Sequence, residues 1–232
     1  MNLKKIFAFT LAETLITIGI IGIVSALTIP TLIQEYKKVE TSSRLKKFYS
    51  IMQQAIIMSE IDNGDSKEWI KAETQKDENG DTDYDAQNEV SKTFFMNYLA
   101  KYIKYSDIID GKNFVDEDGN KSGENIKIYL VDGSNFTMNN GSCMDIVYDT
   151  NGDKNPNVNG RDLFVFYLCF SEYNRNFHCG SNKTAFCTSN IGGNIDSSRE
   201  KKLADCKKQP YYCSGLLETD NWEFKKDYPY RL

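Results

Sequence analysis

Histidine is almost absent from this chain of 232 residues: there is one, His178. A lone imidazole cannot build a multi-histidine metal centre, and its neighbour Cys179 reads better as a half-cystine than as a catalytic partner. No C-x-x-C, G-x-S-x-G, H-E-x-x-H or P-loop string occurs, which removes the usual zinc, hydrolase, metalloprotease and nucleotide readings. No enzymatic role is expected. Basic charge is also in deficit, with 28 Lys and Arg against 33 Asp and Glu and a net charge of −5. Without a basic stripe to offset phosphate charge, nucleic acid is not an expected partner. Cysteine is missing before Cys143, and no internal repeat is found.

Long apolar runs are equally scarce. Mean hydropathy is −0.52, although 40% of the residues are hydrophobic. Those two values fit together because one stretch, Thr14 to Leu32, holds a disproportionate share of the apolar residues. Two lysines, Lys4 and Lys5, precede it, and one acid, Glu13, is embedded near its start. Residues 9–33 as helix would reach roughly 37 Å, enough to cross a bilayer. A carboxylate inside such a segment costs about 2.5–3.5 kcal/mol on insertion scales, so Glu13 needs a reason to be there. Pro30 is expected to kink the helix rather than stop it, because helix-forming sequence resumes at Gln34. Gly19 and Gly22 would let a neighbouring helix approach closely.

Beyond Lys38 the pattern turns amphipathic, with Leu45, Phe48, Tyr49, Met52 and Ile56 recurring at three- and four-residue steps. This half should end near Asp62, where Asn63-Gly64 supplies a C-cap. Residues 62–90 read as a long acidic loop with a short helix around Trp69, followed by an amphipathic helix carrying Phe94, Phe95, Tyr98, Leu99, Tyr102 and Ile103. After a turn-rich stretch, strands are expected at 126–131, 135–138, 143–148 and 163–170, the first two joined by an Asp132-Gly133 turn. Residues 171–205 look loop-like, and 211–217 and 222–224 offer one or two further short strands.

Six cysteines in one region, downstream of an apolar segment, point to disulfides in an oxidising compartment. Loop lengths favour Cys206–Cys213 and Cys179–Cys187 as local bridges; the sequence leaves the connectivity of all six, Cys143 and Cys169 included, open. Three loops have a calcium-like spacing of acids and amides: Asp77-x-Asn79-x-Asp81, Asp116-x-Asp118-x-Asn120 and Asp149-x-Asn151-x-Asp153. None is an EF-hand, since the twelfth position holds Asn88, Lys127 or Gly160 in place of Glu. Plain turns make the same strings. A signal peptidase would find a small-x-small site at Val24-Ser25-Ala26, which would start the mature chain at Leu27.

Residues 4–33 resemble the prepilin-type signal segment of the type IV pilin and type II secretion pseudopilin superfamily: a short basic leader, a small residue before the cut, then Phe9-Thr10-Leu11-x-Glu13 and an apolar helix. Ala8 stands where glycine is usual. Pro30 stands where family members carry their kinking proline. The stretch from Asp149 through Asn151, Gly152, Asn157 and Asp162 to Phe164 resembles a hairpin of pseudopilin-like heads, and NWEFKKDYPYRL resembles their tails. The resemblance implies cleavage between Ala8 and Phe9 by a prepilin peptidase, followed by N-methylation of Phe9. It also implies pairing of Glu13 with the Phe9 amine of a neighbouring subunit in a filament. The partners implied are the peptidase, other pilin or pseudopilin subunits, an inner-membrane assembly platform and membrane lipid. No organic cofactor is implied; because some major pseudopilins hold calcium in a head loop, Asp149, Asn151 and Asp153 form the one Ca2+ reading.

The expected organisation is a leader at 1–8, a transmembrane half-helix at 9–33, an amphipathic half at 34–62 and an extracytoplasmic head at 63–232. The expected fold is α+β, a long N-terminal helix packed on an antiparallel sheet of about four strands. The function expected is that of a filament subunit held in the bacterial inner membrane, N-terminus cytoplasmic, before it joins a periplasmic or surface filament. The other class of function is a secreted or anchored binding protein, calcium-dependent or not, that uses the apolar segment only for export.

Overall fold

The computed structural model describes residues 10–74, 76–81, 83–115, 121–180, 185–189 and 198–232. Ala8, Phe9 and the Asp116–Asn120 spacing lie outside them. The first element, α1 (Leu11–Asn63), is one continuous helix that runs through Pro30 and ends where Asn63-Gly64 said it would. Gly64 takes φ 81°, and its N–H closes the helix on the Glu60 carbonyl at 3.0 Å. The two halves of α1 have opposite fates. Leu15, Ile18, Ile21 and Leu27 are each more than half exposed, whereas Leu45, Phe48, Met52, Ala55 and Ile56 are buried. Their spacing puts the buried set on one stripe, so only the second half can build a core.

Helix α2 (Tyr84–Tyr98) starts inside the stretch read as loop, because Asp83 caps it, its Oδ1 accepting the Ala86 N–H at 3.0 Å. It buries Phe94 and Phe95 and ends before Leu99 and Ile103, which pack from the following turn. Six strands follow: β1 (Tyr105–Val115), β2 (Lys121–Leu130), β3 (Asn135–Asn140), β4 (Met144–Asp149), β5 (Leu163–Leu168) and β6 (Phe186–Thr188). They form a single antiparallel sheet in the order β1-β2-β3-β4-β5-β6.

The α+β class and the long helix are as expected; the described residues form six strands rather than about four. The added strands are β1, whose second half lies in the stretch read as turns, and β6. The β1–β2 pairing is interrupted by register shifts at three places, and its polar, glycine-bearing sequence lacks the alternation that announces a strand. Strand β6 is only three residues long and exists through its pairing with β5. The segment 211–217 is not a strand. Pro210–Tyr212 form a 3-10 turn leading into α5 (Cys213–Thr219), whose apolar residues pack on several sides and so alternate in no way that sequence could separate from a strand. Residues 222–224 are not extended either, since Asn221 and Trp222 turn the chain at φ 55° and 67°. The loop-like 171–205 contains a short helix, α3 (Glu172–Asn174), a π-turn at Arg175–Cys179, strand β6 and most of α4 (Arg199–Lys208).

Register aligns apolar rows beneath α1. Ile128, Phe136, Tyr148 and Phe164 form one row across β2–β5, and Ile126, Met138, Ile146 and Phe166 form the next. These side chains are buried together with Leu45, Phe48 and Met52 in the main core. The opposite face of the sheet carries a smaller core of Cys143, Val165, Tyr167, Cys169, Cys179 and Cys187. Strand β5 is therefore buried on both faces, as its uninterrupted apolar sequence required.

Candidate functional site

Two regions hold the residues singled out from sequence. The first is the start of α1. Thr10 is its N-cap, and Glu13 completes a capping box. The Thr10 hydroxyl oxygen accepts the Glu13 N–H at 3.2 Å, while Glu13 Oε2 accepts both the Thr10 N–H and the Thr10 hydroxyl at 2.8 Å. Within a single chain the acid thus satisfies backbone donors at its own helix start and complements the positive end of the helix dipole. The string Thr10-Leu11-Ala12-Glu13 carries the S/T-x-x-E signature, a signal the sequence reading passed over. A Cβ added at Gly19 or Gly22 would meet nothing within 4 Å. The helix is long and apolar enough to cross a membrane, a property that export signals share.

The second region is the loop between β4 and β5. The three residues of the calcium reading do different work there. The Asp149 carboxyl is buried and pushed up to about 7, mainly by desolvation, with Asp162 and Asp153 adding to the effect. Its Oδ1 accepts the Asn151 N–H at 3.1 Å. Asp153 turns to the sheet, taking Lys127 Nζ at 2.6 Å and the Tyr129 hydroxyl at 2.8 Å. The Asn151 amide donates to Asp162 Oδ2 at 3.0 Å, and its Oδ1 is buried with no partner. Among the described residues no group of three or more His, Cys, Asp or Glu side chains is placed to hold a metal ion.

The organiser of the loop is Asp162, which lies outside the D-x-N-x-D spacing. Its carboxylate accepts the Asn157 N–H at 2.9 Å, the Val158 N–H at 2.7 Å and the Asn151 amide. Gly152 seats the loop on the β2–β3 turn so closely that a Cβ there would lie 2.4 Å from the Gly133 carbonyl oxygen. The C-terminal segment closes over it, with the Tyr228 hydroxyl donating to the Gly160 carbonyl at 2.6 Å. Between this loop and residues 37–44 of α1 lies a cavity of about 300 Å³.

All six cysteines are bridged, as Cys143–Cys169, Cys179–Cys187 and Cys206–Cys213. The two local pairs favoured by loop length are present. His178 lies 3.3 Å from the Ser142 hydroxyl and against the Tyr167 ring, and burial lowers its pKa. No carboxylate hydrogen-bonds to it among the described residues.

The architecture is that of an α+β head built on the second half of a helix whose first half is apolar and uncovered. The chain belongs to the Family of unknown function (DUF6613), whose model matches residues 31–232. That match takes in the amphipathic half of α1 and the whole head, and leaves out the apolar half. Comparison with curated proteins and with solved structures finds no match.

Proposed function

We propose that this chain is a structural subunit of a type IV pilus-like or type II secretion pseudopilus filament. It is made as a prepilin, cut between Ala8 and Phe9, N-methylated on Phe9 and kept in the bacterial inner membrane by the apolar half of α1. The head stays outside, where its three disulfides can form. Assembly proceeds by packing of the uncovered half-helices, with Glu13 leaving its own cap to pair with the Phe9 amine of the next subunit. That exchange replaces one set of polar partners by another in low dielectric and fixes the register between subunits. The chain needs no catalytic group for this work, and its partners are the prepilin peptidase, sister subunits and the assembly platform.

The observation that carries the reading is continuity. A single helix, Leu11–Asn63, runs from the exposed apolar segment into the core of the head without a break at Val24-Ser25-Ala26. An export signal removed after Ala26 has no need to be rigidly joined to the folded domain. The prepilin-like string at Phe9–Glu13 adds the processing chemistry. Mass spectrometry of the mature N-terminus in the native host decides the matter. N-methyl-Phe9 is expected; Leu27 would establish a secreted binding protein instead, and an intact Met1 a plain anchor. In the same host Glu13→Ala should be processed normally yet fail to enter filaments, and normal incorporation would remove the proposed role of this acid.

A further inference from the structure

The cavity between α1 and the β4–β5 loop has an unusual charge balance. Three acidic side chains line it, beside the carboxylate of Leu232, and each of the three is already engaged. Glu40 pairs with Arg44 at 3.0 Å. Asp132 takes Lys47 at 2.7 Å and the Ser134 hydroxyl at 2.6 Å. Asp162 is occupied by the loop donors described above. Three cations, Lys37, Lys154 and Arg161, line the same cavity with no ion pair among the described residues. Arg161 Nε is buried there without a hydrogen-bond partner. An arginine that lines a cavity while one of its donors has no partner leaves the guanidinium short of acceptors, and its planar fork suits phosphate oxygens best.

Position narrows the choice of ligand. Lys37 lies four residues beyond Ile33, the last residue of the apolar half, and hence about 6 Å along the helix axis. The polar headgroup zone of a bilayer leaflet is about 5–7 Å deep, so the mouth of the cavity lies at headgroup level. Thr41, the first residue of α1 to be buried, forms part of the wall, so this is the end of the head nearest the apolar segment.

We infer that the cavity binds the phosphodiester headgroup of an anionic phospholipid, with Arg161 as the fork and Lys37 and Lys154 as flanking charges. The inference rests on the reading of the apolar half-helix as a membrane span. A bound headgroup would hold the stored subunit upright on the outer leaflet surface, and leaving the membrane for a filament would require its release.

The test uses the full chain in an uncharged detergent, with lipid retention read by native mass spectrometry in separate arms containing phosphatidylglycerol, phosphatidylcholine or inorganic phosphate. Phosphatidylglycerol should be retained in preference to phosphatidylcholine. The preference should fall about fivefold for each of Lys37→Gln and Lys154→Gln, the order expected for one basic side chain at an anionic surface. Both side chains are exposed, so neither substitution threatens the fold. Equal retention of the two lipids, or an undiminished preference in the variants, would overturn the inference. So would displacement of phosphatidylglycerol by equimolar inorganic phosphate, which would mark a site for a free anion. Flotation with pure phosphatidylcholine vesicles separates the two levels of argument. A chain that fails to float overturns the membrane reading and the lipid with it; a chain that floats without headgroup preference overturns the headgroup site alone.

Discussion

The ring of Phe48 on α1 lies flat on the ring of Tyr148 in β4, with centroids 4.0 Å apart and planes 2° from parallel. The same ring meets Phe136 at 5.5 Å, Phe166 at 5.4 Å and Phe186 at 6.3 Å, so one side chain joins the helix to four strands. Phe48→Ala should therefore cost about 3–5 kcal/mol, through lost burial and the cavity left behind. Denaturant titration of the head in detergent measures this, with Ile57→Ala on the exposed face as a control expected within about 0.5 kcal/mol of the parent. A comparable loss at both positions would mean that α1 is not anchored through Phe48.

Two carboxyls of β4, Asp149 buried and Asp145 half-buried, should give the head an unusual response to pH. Asp145 and Asp149 are both pushed up to about 7, in each case mainly by desolvation, and Lys71 only partly offsets this at Asp145. A carboxyl whose folded pKa exceeds its unfolded value binds protons more strongly when folded. Its contribution is fully present below the unfolded pKa of about 4 and is lost as pH rises through about 7. Stability should thus fall between pH 4 and 7 from this source, opposite to the usual carboxylate trend. Asp145→Asn should flatten the profile and raise stability at pH 8 by on the order of 1 kcal/mol. Thermal melts across that range check the slope, and an unchanged profile in the variant would rule Asp145 out as its origin.

Asp162→Ala removes the acceptor of two backbone N–H groups and one side-chain amide at once. The expected loss is about 3 kcal/mol, concentrated in residues 150–162. Limited proteolysis should cut this loop in the variant before the sheet unfolds. Asp153→Ala, which takes an exposed carboxylate away from the half-buried Lys127 and Tyr129, should cost less, about 1 kcal/mol.

Peptide mapping without reductant should recover Cys143–Cys169, Cys179–Cys187 and Cys206–Cys213 as the cross-linked pairs. The first closes the longest loop, with a sequence separation of 26 against 8 and 7 for the others. In the chain-entropy account its removal by paired Cys→Ser substitution should therefore cost the most, about 3 kcal/mol. A larger loss at either short loop would point to packing around the bridge, and not loop closure, as the main effect of these bridges.

What could be read beforehand follows the strength of local signals. The end of α1 was visible because Asn63-Gly64 is a strong stop, and β2 to β5 because Ile126, Ile128, Phe136, Ile146 and Phe164 alternate or cluster between turn residues. Strands β1 and β6 were not visible: their existence depends on a neighbour offering an edge, and sequence carries no record of that. Helix α4 lies in a stretch so polar that only its Ser198 cap, with Oγ accepting the Lys201 N–H at 3.2 Å, marks its start. In the β4–β5 loop the acids and amides at 149–153 have a ligand-like spacing, yet Asp162 holds the loop from beyond it. Spacing identifies neighbours along the chain, whereas a carboxylate collects donors across space. Glu13 shows the reverse. Its capping role is written in a four-residue window, Thr10 to Glu13, and owes nothing to the longer apolar run.

The strictly sequential order of the sheet has a bearing on how such a chain could be made. Each of β2 to β6 pairs with the strand translated just before it, and α1, which covers the main core, precedes them all. A segment leaving a membrane channel from N- to C-terminus would find its partner already outside and waiting. No strand would have to stay unpaired while a distant stretch is still being threaded, so little sticky edge is exposed at any moment. The fold is in this sense ordered in time as well as in space, with the last-made tail, through Tyr228 on Gly160, closing the loop that its predecessors left open.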